Sequence, residues 1–405
     1  MAAPADRTIA ITGVRTWTGA RHSARSASVI RITQGRIEAI GAATELMRDA
    51  RRIDFTGAFA LPGLIDGHVH LGLDPTKGVV AQAAISLAER QRAMNRRALE
   101  MVRCGITTAR DLGAGDWAAL ELRDRIARGE LPGPRLLCAG QPLTTPGGHC
   151  HFWGGEASTP AELRCVLTRQ LEHGVDWIKV MATGGVATRG TSPSEPQFDA
   201  ATLSAIVDQA RGGGREVAAH CHGTRGIAHS ARAGVRTIEH CSFAGAEGFG
   251  SDFDAAVVQA VRAAGAWVSP TVNGGWARRA DHEGRPSEFF ERMSKVLREL
   301  VAAGVPLCAS TDAGIPGVHH HRLVEGLLAL ARYSGLAGEA LLRTATVEAA
   351  RALGLEHETG RLEPGLAADL LVVEDDPCRD PSTLLRPLAV FARGRQIDPL
   401  PFDER

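Results

Sequence analysis

Six side chains able to bind metal or move protons recur at one kind of place in this 405-residue chain, the downstream end of a short apolar run. Leu61-Pro-Gly-Leu-Ile-Asp66-Gly-His68-Val-His70 ends in an H-x-H pair. Residues i and i+2 of a strand face one side, so both imidazoles project into one space. His220 closes the run Glu216–His220, His240 closes Val235–His240, and Asp312 follows Val305–Ser310. Lys179 lies in Trp177–Met181 at the equivalent height. Singly, each has an ordinary explanation: a strand-end His or Asp fills or caps a core, and a lone lysine is solvated. In register they do not, because unpaired imidazoles and carboxylates are costly to bury as packing. Neutral imidazole and carboxylate are ligands for divalent metals, and a metal lowers the pKa of bound water to about 7. The pattern therefore points to a metal site that activates water.

The elements that must position these groups alternate. Strand-length apolar runs fall at Leu61–Ile65, Ile106–Ala109, Arg135–Cys138, Trp177–Met181, Glu216–His220, Val235–His240, Ala266–Ser269 and Val305–Ser310. Helical patterns separate most of them, at Ala81–Val102, Pro160–Glu172, Ala200–Ala210, Asp254–Ala263 and Glu288–Ala302. This alternation predicts an α/β fold with a (β/α)8 TIM-like barrel, whose active residues sit at the C-terminal strand ends. A doubly wound open sheet would need a Gly-rich phosphate loop after the first strand, and Leu61–Gly67 is not one. Both ends of the chain are strand-like, at Ile9–Thr12, Ser28–Arg31, Arg36–Ile40, Ala368–Val373 and Leu388–Arg393, with Gly394 as a hairpin signal. The expected organisation is a small β-sandwich from residues 1–59 plus 358–405 around a barrel at 60–357.

Composition narrows the classes. Hydrophobic residues are 44%, charged residues 23% and the formal net charge is zero, which suits a globular enzyme and gives nucleic acid no basic surface. No apolar run approaches the roughly 18 residues of a membrane span, and Met1–Thr8 lacks a leader pattern. Eight cysteines without CxxC pairs read as reduced thiols. The expectation is a cytoplasmic enzyme with a small-molecule substrate.

The block Leu61–His70 resembles the strand-one signature of the amidohydrolase superfamily. Gly105-Ile-Thr-Thr-Ala-Arg-Asp-Leu-Gly113, Ile238-Glu-His240, Ser310-Thr-Asp312-Ala-Gly314, Ala345–Gly354 and Gly360–Leu370 are similar to further blocks, from end to end. Trp177–Ala187 and Pro146-Gly-Gly-His149 resemble its imidazolonepropionase-like and prolidase-like branch. That resemblance implies two divalent ions, usually Zn2+, one held by His68, His70 and Asp312, the other by His220 and His240. Lys179 would bridge them as a CO2-derived carbamate, since an ammonium of pKa about 10.4 would be repelled. Otherwise Lys179 is a cation beside a single metal. A metal-bridging hydroxide would attack an amide carbonyl, with Asp312 as general base and then acid. A homodimer is also implied.

Substrate contacts are sought in the loops. Gly147-Gly-His149-Cys-His151-Phe-Trp153-Gly-Gly155 offers two histidines for a carboxylate or oxyanion, and either His149 or His151 fits. His222 stands where peptide-cleaving relatives often carry a tyrosine hydroxyl; Tyr333, the only tyrosine, falls in a later helical stretch. Arg189 offers a bidentate partner for a carboxylate, and Trp276 a wall for a ring. His319-His-His321 reads as the loop after the eighth run and the start of the next helix, with room for one of the three at the pocket rim and none needed as a ligand. Glu239 reads as structural, aimed away from the ligands by strand alternation. The leading expectation is hydrolysis of an N-acyl amino acid, dipeptide or cyclic amide. The same centre would also serve a lactone, carbamate, urea or cyclic amidine. A non-catalytic binding barrel would have lost ligands, and none is missing.

Overall fold

The structure, a computed structural model, describes residues 8–20, 27–42, 44–79, 82 and 85–401. The leader reading of the N-terminus falls on residues 1–7, outside them, as do Ala81, Ala83 and Ala84 at the start of one predicted helix.

Seven of the predicted runs are strands: β1 (Leu64–Val69), β2 (Ile106–Asp111), β3 (Arg135–Cys138), β4 (Trp177–Met181), β5 (Glu216–Gly223), β6 (Thr237–Ala244) and β7 (Trp267–Ser269). All pair in parallel, β1–β2–β3 in one sheet and β4–β5–β6–β7 in another. Parallel strands need crossover connections, and helices supply them. The eighth run, Val305–Ser310, departs from expectation. It makes only an isolated bridge, Leu307 to Val268, and beyond it Ala313 bridges Val69. The reason lies where the run ends. Asp66 Oδ1 takes the Thr311 backbone N–H at 3.2 Å, and Asp312 turns into the left-handed region at φ 61°, so a regular ladder cannot run on. Gly67 N still donates to Ala309 O at 2.9 Å and Cys308 N to Val268 O at 2.9 Å.

The first run also divides. Phe59–Pro62 pairs antiparallel with Leu370–Val373, while β1 begins at Leu64. Gly63 lies between, where a Cβ would fall 2.1–2.8 Å from the Thr107 side chain, so only glycine permits the crossing. Phe59–Pro62 belongs to an eight-stranded sheet shared by both ends of the chain. In order, its strands are Arg395–Ile397, Ala389–Ala392, Leu370–Val373, Phe59–Pro62, Ile9–Thr16, Ala27–Thr33 and Arg36–Gly41, with Arg51–Asp54 on Ile9–Thr16. Ile11, Ile30, Ile32, Leu370, Val372 and Phe391 form a core there, separate from that of the parallel strands.

Two helices keep their predicted bounds, Pro160–Glu172 and Glu288–Ala302. The first carries its start signals in sequence: Thr159 and Glu162 make a reciprocal capping box with Pro160 at the first position. The second buries Met293, Val296, Leu297 and Leu300, the i, i+3, i+4, i+7 stripe of a helix facing a sheet. The helix predicted at Ala81–Val102 spans Leu87–Arg103, capped by Ser86 with Glu89. Among the described residues no disulfide forms, and no helix is long and apolar enough to cross a membrane.

Candidate active site

The downstream ends of the strands open into a cavity of about 960 Å³. His68, His70, Lys179, His220, His240 and Asp312 all line it, so six residues spread over 245 positions of sequence meet in one space. His68 Nε2, His70 Nε2 and Asp312 Oδ1 lie within 3.3 Å of one another. His240 Nε2 is 2.9 Å from His220 Nδ1. Two sets of donor atoms suit one cation each: His68, His240 and Asp312, and His220, His222 and His240.

What the far ring nitrogens do decides whether a cation fits. His70 Nδ1 donates to Gly113 O at 2.8 Å, and His220 Nε2 donates to Gly184 O at 3.1 Å. A carbonyl only accepts, so the inward nitrogens, His70 Nε2 and His220 Nδ1, carry lone pairs. Lone pairs and a carboxylate thus converge, and among them the buried Lys179 Nζ has no hydrogen-bond partner. Convergent acceptors beside an orphaned amine fit a divalent metal and a modified lysine. A neutral hydrogen-bond network would pair them.

The electrostatics follow from burial. Burial, with help from Lys179, pushes the His68 imidazole down to about 4, against Asp312 and Glu239. His149 falls likewise to about 4 and His222 to about 3, so these rings are neutral at physiological pH. Burial lowers Lys179 to about 8, opposed by Glu239 and Asp312. Asp312 is also penalised by burial, but His68, His70 and Lys179 outweigh that and hold its carboxyl below the usual range. Asp66, buried and bonded to Thr311, rises to about 7 because desolvation dominates.

Backbone strain marks the same place. His240, Thr271 and Asp312 line the cavity at φ 67°, 54° and 61°, a region such residues occupy only when their surroundings impose it.

Of the remaining predicted contacts, His149, His222 and Trp276 line the cavity. His149 Nδ1 meets Thr188 Oγ1 at 3.1 Å, and its ring lies 4.5 Å from His220. His222 stacks between His240 at 4.4 Å and Phe249 at 4.8 Å, with Nδ1 2.8 Å from Ser242 Oγ. Trp276 packs edge-on against Phe289 and Tyr333, and Tyr333, inside helix Leu323–Ser334, donates to the Trp276 carbonyl at 2.9 Å. Two predicted contacts stand elsewhere. His151 opens a short 3-10 helix, half-buried against Phe152, and Arg189 is exposed on its loop; neither forms part of the cavity wall.

Sequence reasoning missed several groups. Of the three histidines with room for one at the rim, His320 is buried and donates Nε2–H to the His70 carbonyl at 3.0 Å, a support for a ligand that the sequence does not disclose. Phe249, Phe289, Arg278 and Arg279 join the wall, with the Arg279 guanidinium 3.5 Å over the Phe289 ring. Glu239 does not point away. Its Oε2 lies 2.9 Å from His68 Nδ1, and it shares a face with Thr237, whose hydroxyl donates to Oε1. The positive φ of 67° at His240 breaks the alternation and lets the next side chain reach the cavity as well. A fully buried carboxylate inside an apolar strand was the available signal.

Comparison with known proteins agrees with this geometry. The Aspergillus niger ochratoxinase is 27% identical over 369 residues, covering 82% of this chain and 73% of that one. A solved Xaa-Pro dipeptidase with methionine in its active site superposes with a TM-score of 0.83 at 27% identity, covering 96% of this chain and 99% of its own. The A. niger ochratoxinase structure, at 22% identity and a TM-score of 0.82 over 97% of this chain and 95% of its own, shares the fold. These neighbours imply a TIM-like α/β architecture. The model of the amidohydrolase family matches residues 59–400, and the chain belongs to that family.

Proposed function

We propose that the chain hydrolyses an amide C–N bond of a small molecule, an N-acyl amino acid, a dipeptide or a cyclic amide, using two divalent ions, in our reading Zn2+. The observation that carries this is the convergence of lone pairs and carboxylate around the unpartnered, buried Lys179. His68, His70 and Asp312 would hold one ion and His220 and His240 the other, with Lys179 bridging as a carbamate. Bound ions would supply Lewis-acid polarisation of the carbonyl and an acidified water.

The protein's own groups do the rest. The Asp312 carboxylate takes the proton of the attacking water and returns it to the leaving nitrogen. His149 and His222, both neutral and fixed by hydroxyl partners, orient the amide oxygen and the substrate's polar end. Phe249, Trp276 and Phe289 exclude water and seat the apolar part of the substrate. The dipeptidase title of one solved neighbour, with methionine in its site, fits an amide that carries an amino acid.

In the same reading the eight runs close a (β/α)8 barrel over 60–357. The bonds from Gly67 to Ala309 and from Cys308 to Val268, and the bridge of Leu143 to Val180, support closure. Residues 1–59 with 358–405 form the small β-sandwich, supported by the core that both ends of the shared sheet bury together. A cytoplasmic homodimer with no nucleic-acid or membrane partner completes the proposal.

The test is metal content by mass spectrometry, with turnover of N-acyl amino acids, dipeptides and cyclic amides before and after chelation. Two ions per chain, with activity lost and restored on metal return, support the reading. Activity that survives complete stripping refutes it.

A further inference from the structure

We propose that Glu239 is a positioning residue that sets which ring nitrogen of His68 carries the proton, and that Arg110 locks Glu239 into that task. This builds on the reading of the site as a metal centre. A neutral imidazole offers a lone pair at Nε2 only when its proton sits on Nδ1. His68 Nε2 is the inward atom, 3.3 Å from both His70 Nε2 and Asp312 Oδ1. Its Nδ1 lies 2.9 Å from Glu239 Oε2, and both side chains are sealed from solvent. An ionised carboxylate only accepts, so Nδ1 must donate and Nε2 is left bare.

The other end of Glu239 is just as constrained. Oε1 accepts from Arg110 Nη2 at 2.9 Å and from the Thr237 hydroxyl. Arg110 is fully buried; its Nε donates to Gly67 O at 2.8 Å, its Nη1 to Thr237 Oγ1 at 3.0 Å, and its guanidinium stacks 4.4 Å over Trp177. A guanidinium has no acceptor and cannot lose its proton, so whatever faces it must accept. Hydrogen-bond polarity therefore runs one way, from Arg110 and Thr237 into Oε1 and from His68 into Oε2. Carboxylates that hold a metal-binding histidine in this manner typically matter 10- to 100-fold in metal affinity.

Glu239→Gln has the same shape and reverses the polarity. Arg110 and Thr237 must take the amide oxygen, which turns the amide NH2 toward His68 Nδ1. That nitrogen then has to accept, the proton moves to Nε2, and an N–H faces the metal position. The experiment is NMR of isotope-labelled histidine in metal-free protein, to read the His68 tautomer, with zinc affinity measured by competition against a chromophoric chelator and folding checked by circular dichroism. The expected result is Nδ1–H in the wild type and Nε2–H in the variant, with zinc affinity about 10- to 100-fold weaker. A purely structural Glu239 would leave the tautomer unmoved. The same tautomer in both proteins, or unchanged zinc affinity in a folded variant, overturns the proposal. Should the variant not fold, the wild type decides alone: Nε2–H on His68 refutes it. Absence of zinc binding by the wild type defeats the metal-centre reading instead, while the tautomer still judges Glu239.

Discussion

Gly185→Ala is a steric probe of His149 that touches no candidate ligand. A Cβ at Gly185 would fall 2.4 Å from His149 Cε1, 2.5 Å from Nε2 and 2.7 Å from Nδ1. Ordinary contact needs about 3.5 Å, so the ring must retreat by about 1 Å. It is not free to do so without loss, since Thr188 Oγ1 holds Nδ1 at 3.1 Å and His220 lies against its face. Gly185 is not in the left-handed region, so the effect is contact rather than backbone strain. A misplacement of this size costs on the order of 100-fold when the displaced group aligns the reaction. That corresponds to about 2.7 kcal/mol of transition-state stabilisation. The assay is kcat/KM on the substrate found in the amide panel, with zinc content measured on the same samples. Gly212→Ala, at a helix end where the new methyl meets nothing within 4 Å, is the control for adding a methyl at all. Wild-type kcat/KM in Gly185→Ala would show that the His149 ring neither contacts nor orients substrate. Loss of zinc alongside activity would place His149 among the metal's supports.

Further outcomes follow from the same geometry. Asp312→Asn should lower kcat by about 10²- to 10⁴-fold, the range for general acid–base catalysis, and steady-state kinetics at near-wild-type kcat would remove Asp312 from that role. Trp276→Ala deletes a wall that packs on Phe289 and Tyr333, and should raise KM about tenfold or more while kcat changes less. Tyr333→Phe removes the hydroxyl that donates to the Trp276 carbonyl at 2.9 Å. Its expected cost is about 1 kcal/mol, read from the urea midpoint, and an unchanged midpoint would mean water replaces the bond without penalty.

How far the sequence reaches can be judged at particular residues. The helices Pro160–Glu172 and Glu288–Ala302 are legible because a capping box and an apolar stripe act over one or two turns. The six candidate ligands are legible for a related reason: each follows an apolar run, and a polar group at a strand end is a local anomaly. The eighth run stands in strand position, its backbone bonded to Val268, Gly67 and Thr344, but forms no regular ladder. Just past it the Thr311 N–H goes to the side chain of Asp66, 245 positions away, which no local pattern reveals. His151 and His149 are alike in sequence, and only the fold turns one into the cavity and the other onto Phe152.

Glu239 marks the boundary most clearly. Strand period counted back from His240 aims it away from the histidines, yet it stands on the face of Thr237 and meets His68. The left-handed turn at His240 brings that ring to the cavity too, and Arg110 keeps Glu239 ionised there. The sequence by itself determined which residue types stand at the strand ends, and hence the metal chemistry and the family, because periodicity and motif are properties of neighbours along the chain. The tertiary structure alone decided which atoms meet: the tautomer-setting carboxylate, the aromatic wall from Phe249, Trp276 and Phe289, and the strained φ values that aim His240 and Asp312. Those depend on long-range packing strong enough to override local backbone preference.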